Sequence, residues 1–115
     1  YKPPNNLDCN SIILNIHGGP HGMNSFGFSL DLLVLILHGY TILQVNYRGS
    51  LGFGEEFIHY LPGNIGFMDV MDCINAFRIV CKEYFNDNIY KCVMGGSHGG
   101  FLTGHLIGQF PNEFD

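Results

Sequence analysis

Charge is scarce in this chain. Of its 115 residues 13% are charged, five basic against ten acidic, with no cluster of Lys or Arg. Binding to nucleic acid through phosphate contacts is therefore not expected. Long hydrophobic runs are missing as well. The longest uninterrupted apolar stretch is Leu32 to Leu37, against the roughly 20 residues of a membrane-spanning helix. No membrane partner is expected, and no basic stretch leads into an apolar one as in a signal peptide. The four cysteines, Cys9, Cys73, Cys81 and Cys92, form no C-x-x-C pair and lie at no close spacing from histidine. That pattern excludes a zinc site or a disulfide framework and reads as buried free thiols in a reducing cytosol. There is no G-K-[ST], and Gly49-Ser50-Leu51-Gly52-Phe53-Gly54 has the wrong order for a dinucleotide loop. His17 and His21 are four apart, but Gly18-Gly19-Pro20 between them cannot form a helical metal-binding face. Neither metal nor cofactor is expected.

Apolar residues make up 46% of the chain, with ten Phe, six Tyr and 16 Gly, which suits one modest globular domain rather than a disordered segment. Tyr1 to Asn10 is polar and proline-bearing and reads as a linker or lead-in loop, with the domain over 11–115. Ser11 to Ile16, Tyr40 to Tyr47 and Tyr90 to Met94 are short β-branched or aromatic runs that read as strands. Phe28 to Leu37, apolar nearly all round and stopped by Gly39, predicts a helix buried against the sheet. Val70, Ile74, Phe77 and Cys81 mark one face of a second helix, with Asp69 and Asp72 in its first turn and Lys82 near its end. Phe101 to Gln109 predicts a third, whose Gly100, Gly104 and Gly108 suggest close approach to the sheet. Strands alternating with helices give an α/β fold with a parallel sheet and right-handed crossovers.

Chemistry enters at Gly95-Gly96-Ser97-His98-Gly99, a G-x-S-x-G between a predicted strand and a predicted helix. In such a nucleophile elbow the serine occupies a strained turn, and the flanking glycines leave room for neighbouring backbone. The hydroxyl projects above the sheet while amides at the helix start face developing negative charge. His17-Gly18-Gly19-Pro20 follows the first strand, where a second oxyanion-hole amide is drawn from in α/β-hydrolases. The backbone N–H groups of Gly19 and His98 fit the two places; by itself His17-Gly-Gly-Pro also reads as an ordinary glycine turn. Arg48 follows a buried-looking strand and predicts an internal ion pair with Asp69 or Asp72, the alternative being a solvated loop arginine.

Several stretches in order, His17-Gly-Gly-Pro-His21, Asn46-Tyr-Arg-Gly-Ser50 with Gly52-Phe-Gly54, Leu61-Pro-Gly-Asn-Ile-Gly66 with Asp69 and Asp72, and Gly95-Gly-Ser-His-Gly-Gly-Phe101 through His105-Leu-Ile-Gly-Gln109, resemble the acylaminoacyl-peptidase branch of the prolyl oligopeptidase family of serine peptidases. The resemblance implies a cytoplasmic, homo-oligomeric enzyme that releases an N-acylated amino acid from a peptide, with a β-propeller ahead of an α/β-hydrolase domain. Ser97 would be the nucleophile, and the Gly19 and His98 amides the oxyanion hole. Leu51 departs from the family's usual threonine.

The reading is thus a partial α/β-hydrolase fold, a parallel sheet with a nucleophile elbow that ends before the strands carrying the triad Asp and His. The chain starts without methionine and closes with no helix stop, and both ends read as cut. Only His98 and His105 follow Ser97, one inside the elbow and one in its helix, and neither is placed to be its base. A serine without an adjacent base is a weak nucleophile, so the segment alone should be nearly inert. Three strands without the rest of a sheet also leave an exposed edge and an uncovered face, which predicts poor solubility. A dipeptidyl or oligopeptidyl peptidase of the same family is the nearest alternative, and an inert product that binds full-length subunits the next.

Overall fold

The sheet begins with β1 (Ser11–Ile16), whose alternating Ile12, Leu14 and Ile16 are fully buried. The structure, a computed structural model, describes residues 1–4, 10–86 and 88–115. After β1 come α1 (Leu30–Leu37), β2 (Tyr40–Val45), α2 (Glu55–His59), α3 (Met68–Tyr84), β3 (Tyr90–Gly95) and α4 (His98–Gln109). The strands are parallel in the order β2-β1-β3, as crossover connections through helices require. Ile16 stands level with Val45 and with Gly95. That register brings the loops leaving all three strands to one end of the sheet, where ligand sites of open α/β sheets lie.

One face carries the core. Ile12, Leu14 and Ile16 pack with Tyr47, with Val70, Cys73, Ile74 and Phe77 of α3, and with Leu102 and Leu106 of α4. Each large side chain buried there stabilises the fold by roughly 1.5–3 kcal/mol. α3 sits on this face because its apolar residues form a single stripe, and Asp69 and Lys82 complement its dipole at opposite ends.

The other face differs from expectation. α1 forms, capped by Ser29 whose Oγ accepts from the Leu32 amide, yet it starts two residues later than predicted and buries no residue. Its contacts with the sheet are mainly to β2, and Leu30, Val34 and Leu37 remain about half exposed, with Phe28 before it more so. The glycines of α4 also need correction. A Cβ on Gly104 or Gly108 would meet nothing within 4 Å, whereas one on Gly99 would lie 2.2 Å from the Ile16 carbonyl oxygen. Close approach is confined to the first turn, and later turns meet the sheet through Leu102 and Leu106. For the same reason α4 starts at His98 rather than Phe101: packing overrides the poor propensity of Gly99 and Gly100.

Residues 5–9 of the lead-in, including Cys9, lie outside the described residues. Tyr1 exchanges two backbone hydrogen bonds of 2.9 Å with Ile42, so it runs along β2 instead of looping free. At the opposite edge Asp115 donates its amide to the Lys91 carbonyl and accepts from the Lys91 amide. Cys73, Cys81 and Cys92 are free thiols, but only Cys73 is fully buried, and burial pushes it up to about 12. Among the described residues no helix is long and apolar enough to cross a membrane.

Candidate active site

At the end of β3 the chain reverses into α4 through Ser97, whose φ of 55° and ψ of −123° make it the one non-glycine with positive φ among the described residues. Such a conformation costs on the order of 1–3 kcal/mol and persists only where packing enforces it. The packing is visible. A Cβ on Gly95 would lie 2.5 Å from the Gly99 carbonyl, and one on Gly99 would strike β1. Gly96 has open space around it, so room for a side chain is not what requires glycine there. Gly99 N donates to Gly96 O at 2.9 Å and Phe101 N to Ser97 O at 3.1 Å, closing the turn onto the helix. The Ser97 hydroxyl is exposed and does not cap α4.

The loop after β1 lies directly against this turn. A Cβ on Gly18 would come 3.1 Å from Ser97 Cβ and 3.7 Å from its Oγ. Gly19, at φ 132°, could not carry a Cβ without meeting the Gly22 amide nitrogen at 2.5 Å; its peptide bond to the half-buried Pro20 is cis. Among the described residues, neither the Gly19 amide nor the His98 amide is engaged by another group. Both remain available to an incoming acceptor.

His17 holds the loop from beneath. Its ring stacks on Tyr47 at 4.5 Å, and its Nε2 meets Ser50 Oγ at 2.9 Å, which in turn donates to the Tyr47 carbonyl at 2.6 Å. The Tyr47 hydroxyl donates to the His17 carbonyl at 3.0 Å, and burial raises its pKa, so it stays a donor. Burial lowers the pKa of His17, with the nearby His98 acting in the same direction. Tyr47 and Ser50 stand in one of the stretches that carry the family resemblance, but nothing local to them announces contacts with His17 some thirty positions away.

The two acids at the start of α3 divide between two loops. Arg48 pairs with Asp72, not Asp69: its Nε and backbone N meet Oδ2 at 2.8 and 2.9 Å and its Nη2 meets Oδ1 at 2.6 Å. This two-pronged geometry fixes the chain leaving β2. Asp69, fully buried, instead accepts from His98 Nε2 at 2.9 Å. His105, the other histidine after Ser97, is bonded to Gln109. No side chain among the described residues is hydrogen-bonded to Ser97 Oγ, and none of their His, Cys, Asp and Glu residues cluster as metal ligands do.

Residues 26–115 match the prolyl oligopeptidase family. The chain is 53% identical over 102 residues to acylamino-acid-releasing enzyme 1 of Oryza sativa subsp. japonica, which covers 89% of this chain and 13% of that protein. With the acylamino-acid-releasing enzyme of Arabidopsis thaliana it shares 45% over 113 residues, 98% of this chain and 15% of the relative. An acylaminoacyl peptidase structure from Pyrococcus horikoshii superposes with a TM-score of 0.85 at 29% identity, covering 98% of this chain and 18% of that one. The chain therefore spans a small part of the length of each. Over that part it has the α/β-hydrolase arrangement of parallel strands and elbow.

Proposed function

Because this chain belongs to the prolyl oligopeptidase family, we propose that it supplies the nucleophile and oxyanion hole of a serine peptidase that releases N-acylated amino acids from peptides. The observation that carries this reading is Ser97, held at φ 55° with an exposed hydroxyl beside the Gly18-Gly19 loop. In the reaction Ser97 Oγ attacks the carbonyl of the scissile peptide bond, and the resulting oxyanion accepts from the Gly19 and His98 amides. Each such donor contributes roughly 10²- to 10³-fold to turnover. Collapse of the intermediate expels the shortened peptide and leaves the N-acylated amino acid esterified to Ser97, to be released by water.

The base that takes the Ser97 proton, and the acid that orients it, lie outside the described residues. Residues 1–10 act as the lead-in and 11–115 as the first part of the catalytic domain. The full-length enzyme is cytoplasmic and homo-oligomeric and needs no metal or cofactor. Its likeness to acylamino-acid-releasing enzymes at up to 53% identity supports the blocked-peptide substrate over a free-amine one. A second reading, an inert segment, draws on the unpartnered Ser97 hydroxyl and applies to these 115 residues by themselves.

The test is hydrolysis by the full-length protein of an N-acetylated peptide and of the same peptide with a free amine. Preference for the acetylated one supports the reading. Preference for the free amine transfers it to a dipeptidyl or oligopeptidyl peptidase of the same family.

A further inference from the structure

His98 has two ends with separate duties. Its backbone N–H is the proposed oxyanion donor, and its imidazole, 12% exposed, reaches back beneath the elbow to Asp69. Asp69 accepts at both oxygens: Oδ2 from His98 Nε2 at 2.9 Å, and Oδ1 from the Gly66 amide at 2.8 Å and the Val70 amide at 3.0 Å. A carboxylate with no exposed surface and three donors, two of them backbone, is fixed in place by α3 and the Gly66 turn. Because a carboxylate accepts, the His98 proton sits on Nε2. The ring is packed on its sides by Tyr47 and Phe101, at centroid distances of 5.8 and 5.3 Å. Neither aromatic can replace the directional bond to Asp69.

We propose that Asp69 is a positioning residue of the oxyanion hole: through the His98 imidazole it fixes the His98 amide and maintains the strained conformation of Ser97. The inference rests on the function proposed above. The elbow's glycines leave it without side-chain support on the solvent side, and the strain at Ser97 needs a constraint from below. The Asp69–His98 bond spans 29 residues of sequence and is the hydrogen bond that ties the elbow residue itself to α3. One turn along, Asp72 ties the chain after β2 to the same helix through Arg48. The first turn of α3 thus sets the relative placement of two of the loops at the site. Misplacing a donor by about 1 Å costs on the order of 10²-fold in rate.

The experiment uses the full-length protein with His98→Met, which removes the donor at similar volume, His98→Gln, which restores one, and Asp69→Asn, which keeps an acceptor for Gly66 and Val70. Active sites are titrated with a fluorophosphonate, and kcat and KM are measured per titrated site. The expected result is a fall in kcat of about 30-fold for His98→Met with KM within about twofold, and recovery to within about fivefold of wild type for His98→Gln. Combining His98→Met with Asp69→Asn should give no further loss, because both act on one bond. Should His98→Met fail to fold, His98→Phe, which likewise carries no donor for Asp69, is expected to show the same fall in kcat. Variants that melt earlier but keep wild-type kcat per site would make the pair a purely structural one and overturn the inference. A wild-type protein that takes no label at Ser97 would instead sink the functional reading underneath it.

Discussion

The two faces of the sheet are covered unequally, one by α3 and α4 and the other by the short, nearly all-apolar α1, and they end differently. α3 carries charges and polar groups on one side, yet buries Val70, Cys73, Ile74 and Phe77 completely. α1, apolar at every position but Asp31, buries nothing. Amphipathic patterning names a direction for burial, whereas apolar residues all round name none. α3 and α4 cover the sheet together, and the elbow presses α4 down on β1 at Gly99. α1 rests mainly on β2.

Substitutions on the two faces break or sharpen this contrast. Phe77→Ala should destabilise the full-length protein by about 3–5 kcal/mol, and Val34→Ala on α1 by less than about 1 kcal/mol, in urea unfolding followed by circular dichroism. Equal losses would mean that the α1 face is buried in the working protein. Gly99→Ala should cost about 3 kcal/mol or more because its methyl would enter the Ile16 carbonyl. Gly104→Ala, on the open side of the same helix, should stabilise by about 0.5–1 kcal/mol. Arg48→Met should cost about 1–2 kcal/mol, since it leaves Asp72 without its two-pronged partner; a variant as stable as wild type would show that the pair does not hold the loop.

The smallest effect concerns pH. Burial depresses the pKa of His17 below its ordinary 6.5, so the folded state favours the neutral ring. Its contribution is present above pH 6.5 and is lost as the pH falls below that value, because the unfolded chain then takes up the proton first. Melting temperatures measured from pH 7.5 down to pH 5 should decline less in His17→Gln than in wild type.

Much of this was legible in the sequence wherever the chemistry is local. β1 spans the residues its β-branched run predicts, and Ser97 sits in the turn that its flanking glycines predict, because both follow from neighbours within a few positions. β2 stops at Val45, two residues early, since Tyr47 turns its ring onto His17 and its carbonyl to Ser50. α2 was missed because it is five residues long and starts after Gly54 at φ 91°, with too short a pattern to register a period. The scarcity of charge pointed Arg48 toward an acid on α3, and the structure selects Asp72. What was not legible is the link from His98 to Asp69, because only the packing of α4 against α3 brings residues 29 apart together.

The central claim is that Ser97 is a nucleophile supported by amides this chain provides. Fluorophosphonate labelling of the full-length protein, with the modified residue mapped by peptide mass spectrometry, tests it most directly. Label on Ser97, abolished by Ser97→Ala together with peptidase activity, is the predicted result. A folded full-length protein that hydrolyses acylated peptides with Ser97 unlabelled, or that keeps its activity in Ser97→Ala, would contradict it.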